Sequence, residues 1–175
     1  EGMTAAVSSA GALVSYLEET QKILTFRKIS PVQESSFMFL DAATKRNLEI
    51  SRSLKDASIE GSLLWVLDET LTPMGGRYLR TALAQPLITV PEIRARQDAV
   101  SALVADYELL EDLRTILRKI QDIERITSRI LAKSASPRDL VALKGSLQNL
   151  PKLRKLLMSA PSPYIKQMAS DIADM

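Results

Sequence analysis

Cysteine and histidine are both absent from this 175-residue sequence, and together the two absences exclude much of enzyme chemistry. Without Cys there is no disulfide framework, no thiolate nucleophile and no Cys-based zinc site. Without His the commonest general acid–base and the commonest metal ligand are missing, and neither a Ser-His-Asp nor a Cys-His constellation can be assembled. Aromatic residues are scarce at 5%. A core must therefore come from Leu, Ile, Val, Ala and Met, which favours helices over a sandwich or barrel. No run of about 18 apolar residues occurs, so no membrane span is expected. Residues 4–22, the nearest thing to a leader, are interrupted by Ser8, Ser9, Ser15, Glu18 and Glu19. The expectation is a cytoplasmic protein. Its net charge of +2 is small and interspersed, which predicts no strong general affinity for nucleic acid or anionic membranes.

What is present is a succession of helix signals. The 46% hydrophobic content suffices for one cored domain, with or without an appended segment. Residues 5–23 read as a first helix, with Val7, Leu13, Val14, Leu17 and Ile23 near one stripe, ending before Ser30-Pro31. Ser35-Ser36-Phe37-Met38-Phe39-Leu40 is the one strand-like run. A single strand makes no sheet, so it reads as an extended bridge packed against helices. Asp41 then caps a short helix reaching Ile50, followed by a polar loop over residues 51–60. The only Trp, Trp65, lies in the run Leu63-Leu64-Trp65-Val66-Leu67 and is expected to anchor the core.

Thr72 followed by Pro73 is a helix start, with a stop near Gln85 ahead of Pro86. Thr89 and Glu92 have capping-box spacing. In the helix they open, Ile93, Val100, Leu103 and Val104 form the apolar stripe, and Glu92 is placed to pair with Arg96. Asp106 caps the next helix. There Leu109, Leu110, Leu113, Ile116, Leu117 and Ile120 have the i, i+1, i+4, i+7, i+8, i+11 spacing of a buried face. Further helices follow over residues 122–133 (Ile123, Ile126, Ile130, Leu131) and after the cap Ser136 (Leu140, Val141, Leu143, Leu147, Leu150). Two more run from Pro151 to Ala160 and from Tyr164 onward. The last places Ile165, Met168, Ile172 and Met175 on one face, which either docks on the same bundle or awaits a partner. The predicted fold is all-α: a multi-helix bundle with one short extended segment near residues 36–40.

Candidate chemistry is thin. Lys144-Gly145-Ser146 scrambles part of a phosphate-loop motif but lacks the upstream glycine and falls within a helix. Gly75-Gly76-Arg77 sits at a helix N-terminus, where an anion can bind. The favoured reading is close packing of that helix start, with Arg77 paired to a carboxylate. Asp68-Glu69 and Asp122 with Glu124 lack the helical spacing that converges carboxylates on a cation. Asp122 reads instead as a charge favoured at a helix N-terminus, with Arg125 as partner, and Glu124 as a solvated charge. Arg118-Lys119 and Lys152, Arg154 and Lys155 have no interleaved aromatics for stacking on bases, so they read as solvated faces. No residue is assigned as catalytic, cofactor-binding or metal-ligating.

The run Leu67-Asp68-Glu69-Thr70-Leu71-Thr72-Pro73-Met74-Gly75-Gly76-Arg77-Tyr78-Leu79-Arg80, continuing to Leu83 and Gln85-Pro86-Leu87, resembles the core region of the DNA mismatch repair family MutS. Further segments appear in the family's order. They are Ala12-Leu13 through Lys22, Phe39 through Ile50, Ile93 through Gln97, Asp122 through Ile126, Ala135 through Leu140, and Leu150-Pro151. The resemblance implies a division into residues 1–30, a helix leading in from a preceding connector domain, and residues 31–175, a helical core truncated before a DNA clamp. It also implies a non-catalytic core that links the DNA-binding and ATPase parts of a parent protein and transmits conformational change between them. Mismatched double-stranded DNA, ATP and Mg, and a homodimeric state would belong to that parent, and neighbouring domains would be this piece's partners. The alternatives are an independent protein-interaction module using residues 165–175, and the core of a MutS paralogue without mismatch reading.

Overall fold

The computed structural model describes residues 4–21 and 37–172. They belong to two units, Glu1–Gln33 and Glu34–Met175. The first holds a single helix, α1 (Thr4–Gln21). On it Val14 and Leu17 are half-buried while Val7 and Leu13 are exposed. Ile23, the Ser30-Pro31 stop, Ser35, Ser36 and Met175 lie outside the described residues.

The second unit contains nine helices among its described residues: α2 (Ala42–Asn47), α3 (Leu63–Leu67), α4 (Pro73–Ala84), α5 (Val90–Ala105), α6 (Tyr107–Leu117), α7 (Ile123–Leu131), α8 (Pro137–Leu147), α9 (Leu150–Ser159) and α10 (Pro163–Ser170). The fold is all-α. The extended segment is real but takes a different neighbour. Phe37 forms an antiparallel bridge with Leu87, and the Met38 N–H donates to the Pro86 carbonyl at 2.7 Å. Backbone there satisfies backbone, and Phe39 is left 88% exposed instead of packed on a helix.

Helix starts are set by local side chains that accept from otherwise orphaned N–H groups. Asp41 accepts from Thr44 N–H at 2.6 Å, Thr72 from Gly75 at 3.0 Å and Asp106 from Leu109 at 3.0 Å. The reciprocal box forms at Ser136 and Asp139, where Ser136 N–H donates to the Asp139 carboxylate at 2.8 Å. It does not form at Thr89, whose hydroxyl donates to the Glu92 carboxylate and accepts from no helix amide. An ionised acceptor within reach is the stronger partner for that hydroxyl. Helix α2 ends at Asn47, short of Ile50, because Glu49 turns into the left-handed region at φ 47°.

The core is built by α5, α6, α9 and α10, which pack on one another; α7 packs on α8, α8 on α9, and α3 on α4. Its buried members are Ala99, Leu109, Leu113, Ile120, Leu153, Ala160 and Ile165. Leu103, Ile116, Leu117 and Ile123 pack around them. Several expected core residues are outside. Trp65 is 54% exposed, and Leu64 is the buried member of its run. A five-residue helix turning 100° per residue presents only one central position to a neighbour. On α5 the inward position is Ala99, while Val100 and Val104 are exposed. That helix meets both α6 and α10, and a small side chain lets them approach. Leu140 and Val141 are exposed on the side of α8 that neither α7 nor α9 covers.

The last helix docks back on α9 and α5, burying Ile165 and Ala169 and leaving Met168 half exposed. Its apolar stripe is thus largely spent within the unit.

Ser62, fully buried, ties the irregular stretch 51–60 to α3. Its hydroxyl donates to the Ile59 carbonyl at 2.6 Å and accepts from the Trp65 N–H at 3.2 Å. Ser62→Ala is expected to cost about 1 kcal/mol in urea unfolding, the usual loss of a helix cap. A midpoint unchanged from the parent chain would show that the hydroxyl does not hold this junction.

Candidate functional site: an ionic clamp between helix starts

Helix α4 begins at Thr72, whose hydroxyl caps Gly75. A Cβ on Gly75 would lie 3.0 Å from that hydroxyl oxygen, and one on Gly76 would lie 3.3 Å from the Thr70 hydroxyl. The glycine pair therefore lets the 68–72 segment fold tightly over the helix start. Thr70 donates in turn to Asp68 at 2.6 Å, and its hydrogen bonds hold the Asp68 carboxyl below its usual range. The chain's own hydroxyls fill the space around this helix end.

Arg77 projects from the second turn of α4 to partners 45 and 47 positions away in sequence. Its Nη1 donates to Asp122 Oδ2 at 2.7 Å and its Nη2 to Asp122 Oδ1 at 2.8 Å, a bidentate fork. The same Nη2 reaches Glu124 Oε2 at 2.5 Å. Asp122 is also the N-cap of α7, accepting from the Arg125 N–H at 3.2 Å. One carboxylate thus starts one helix and anchors the start of another. Its side chain is only 15% exposed. The Arg77 hydrogen bonds, aided by the Arg125 N–H, lower its pKa from 3.8 to about 2 against the opposing effect of burial. Arg77 is correspondingly raised, first by Asp122 and then by Glu124. The local partner expected for Asp122 is present: Arg125 Nε stands 3.7 Å from Asp122 Oδ2. Sequence reasoning missed the closer distant partner, Arg77, and left Glu124 solvated; Glu124 pairs with Arg77 while keeping 69% of its side chain in water.

A second clamp joins the next pair of helices. Arg129 near the end of α7 meets Asp139 in the first turn of α8 at 2.5 Å. Arg129, the Ser136 backbone and the Ser136 hydroxyl lower the Asp139 pKa to about 2. Weaker polar contacts point the same way. Arg114 of α6 stands 4.0 Å from Glu69, between α3 and α4, and Arg96 of α5 lies 5.9 Å from the centre of the Tyr78 ring of α4. Arg96 makes that contact where pairing with Glu92 was expected.

Ser146, singled out within Lys144-Gly145-Ser146, is fully buried on α8. Its hydroxyl donates to the Ala142 carbonyl at 2.8 Å and accepts from the Gln121 N–H at 2.9 Å. It pins the turn between α6 and α7, a role that only its distant neighbour reveals. Arg118 and Lys119 are exposed, as are Lys152 and Lys155, while Arg154 is half-buried, so the second cluster is not one uniform cationic face. Among the described residues no three acidic side chains converge as a metal would require, and no helix is long and apolar enough to cross a membrane.

Helices tied to one another by ion pairs over an aliphatic core define an all-helical structural domain. Residues 43–175 match the family described as MutS domain III. The chain is 49% identical over 157 residues to the DNA mismatch repair protein MutS of Thermodesulfovibrio yellowstonii, covering 90% of this chain and 18% of that protein. It is 45% identical over 174 residues to that of Synechococcus elongatus (96% and 19%), and 42% identical over 177 residues to that of Microcystis aeruginosa (100% and 20%). This chain belongs to the MutS domain III family, and it spans about a fifth of the length of these relatives.

Proposed function

We propose that this chain is the non-catalytic helical core of a DNA mismatch-recognition ATPase, coupling its DNA-binding and ATPase parts. Residues 1–30 lead in from a connector and residues 31–175 form the core. ATP with Mg, mismatched duplex and a homodimeric partner belong to the parent protein, which acts in the cytoplasm. The observation that carries the reading is the Arg77–Asp122–Glu124 clamp. It fixes the start of α4 to the start of α7 across 45 residues of sequence. Packed cores switch between discrete arrangements instead of bending smoothly, so a displacement imposed at one clamped helix start is passed to the other. The relatives named above, all mismatch repair proteins, support the setting.

Two measurements test it. The isolated chain is expected to show no ATP turnover and equal affinity for mismatched and matched duplexes; either turnover or a mismatch preference sinks the reading. In the parent protein, Arg77→Ala is expected to preserve mismatch binding and basal ATPase while reducing the mismatch-dependent change in ATP turnover. Unaltered coupling would leave the clamp a purely structural feature.

A further inference from the structure

Beside α4 lies a surface that neither the clamp nor the lever reading uses. A slot of about 80 Å³ opens between α2, α3 and α4, floored by Ile50, Leu64, Leu83 and Ala84 and rimmed by Lys45 and Arg80. Lys45 and Ser51 also line an adjoining concavity shared with Arg46 and Arg52. Among the described residues no carboxylate lines either depression. Among the described residues none of these four cations stands within ion-pair distance of an acid; Arg52 is held by the Ala57 carbonyl at 2.7 Å. Nearby acids are otherwise engaged: Glu49 accepts from the Leu54 N–H at 2.6 Å, and Asp68 from Thr70.

Arg80 feels the Asp68 carboxylate at longer range, but Lys45, Arg46 and Arg52 leave the rim in net positive excess, and an apolar floor under such a rim has a definite complement. We propose that this slot docks an acidic peptide segment of a separate partner protein, one aliphatic side chain entering the slot and flanking carboxylates meeting Lys45 and Arg80. The adjoining concavity extends the same recognition toward Arg46 and Arg52. A nucleic-acid backbone is disfavoured because it would leave the apolar floor unfilled, and among the described residues no aromatic lines the surface for bases to stack on. A permanent contact with neighbouring domains of a longer protein is disfavoured too. A permanent contact would bury these cations favourably only if each were paired, whereas a small, charged depression suits a transient, electrostatically steered partner. The proposal stands apart from the lever reading and survives its failure.

The probe is a fluorescein-labelled peptide of about twelve residues, alternating Asp and Glu around one central Leu, titrated by anisotropy against the chain. The expected result is saturable binding that weakens with salt. It should fall about 10-fold or more in the Lys45→Glu/Arg80→Glu double variant and survive in Lys45→Arg/Arg80→Lys. Replacing the peptide's Leu by Ser tests the slot without touching the protein fold, and is expected to weaken binding several-fold. Thermal unfolding of each variant confirms that these surface changes leave the chain folded. The proposal is overturned by absence of binding, by equal affinity for the Ser peptide or polyglutamate, or by duplex DNA competing at the same residues. It is likewise overturned if the full-length parent protein no longer binds the peptide, since its own domains would then cover the slot.

Discussion

Leu113→Ala is expected to lower the unfolding free energy of this chain by about 2–5 kcal/mol. Leu113 is 5% exposed and sits centrally on α6 among Ala99, Leu109, Ile120 and Leu153. Truncation removes buried methyl groups and leaves a cavity that α5 and α9 can close only by shifting the rest of the packing. Ile116 is half-buried at the margin of the same cluster, so Ile116→Ala should fall near the lower end, at about 2 kcal/mol. Val141→Ala provides the contrast: 71% exposed on α8, it should change stability by no more than about 0.5 kcal/mol. Urea titrations monitored by far-UV circular dichroism order the three directly, provided the m-values agree. A loss of a few tenths at Leu113, matching Val141, would remove α6 from the core.

The second large effect is expected at the clamp. Asp122→Ala deletes the α7 cap and both acceptor oxygens of the Arg77 fork. The cap alone is worth about 0.5–2 kcal/mol. The ion pair adds less than a buried one would, because Arg77 keeps a third of its side chain in water. A total of about 1–3 kcal/mol is expected. An Arg77→Ala by Asp122→Ala cycle isolates the pair and should return about 0.5–1 kcal/mol of coupling. Arg77→Lys should recover only part of it, since an ammonium cannot make the two parallel bonds seen to Asp122. Additive single losses would mean that the Arg77–Asp122 pair contributes nothing measurable to stability.

The same groups set the acid stability. Asp122 and Asp139 are each lowered from 3.8 to about 2 by their arginine partners and the amides they cap. As pH falls through the ordinary carboxylate range, the unfolded chain takes up protons that the folded chain still refuses. Stability therefore rises with pH in this window. The contribution is complete above about pH 5 and declines as pH falls through 4 toward 2. Asp122→Asn should flatten part of that decline while lowering stability at neutral pH. An unchanged slope between pH 2 and 5 would show that the carboxylate has no special partner in the folded state.

Much of the local architecture is readable from neighbouring residues alone. Thr72-Pro73, Asp106, Ser136 and Asp41 start helices where expected because a cap and the amide it satisfies are three residues apart. The buried face of α6 is equally legible, since six aliphatic residues at helical spacing leave one orientation that removes them from water. Shorter or weaker patterns mislead. In α3 every side chain is apolar, so periodicity cannot choose Leu64 over Trp65. In α5 both Ala99 and Val100 are apolar, and the choice depends on how closely α6 and α10 approach. Thr89 and Glu92 have the spacing of a capping box, yet spacing does not say whether a hydroxyl will accept from an amide or donate to a carboxylate.

By itself the amino-acid order determined the all-helical class, the helix starts, the aliphatic character of the core and the family, because each follows from short-range spacing or from residue identity. Only the tertiary structure decided which faces meet: that Arg77 finds Asp122 and Glu124, that Ser146 holds the Gln121 amide, and that Ile165 and Ala169 fold back onto α9 and α5. The physical reason is that caps and periodicity act within a turn or two of helix. Pairing partners tens of residues apart are chosen by how whole helices pack, and no local pattern records that choice.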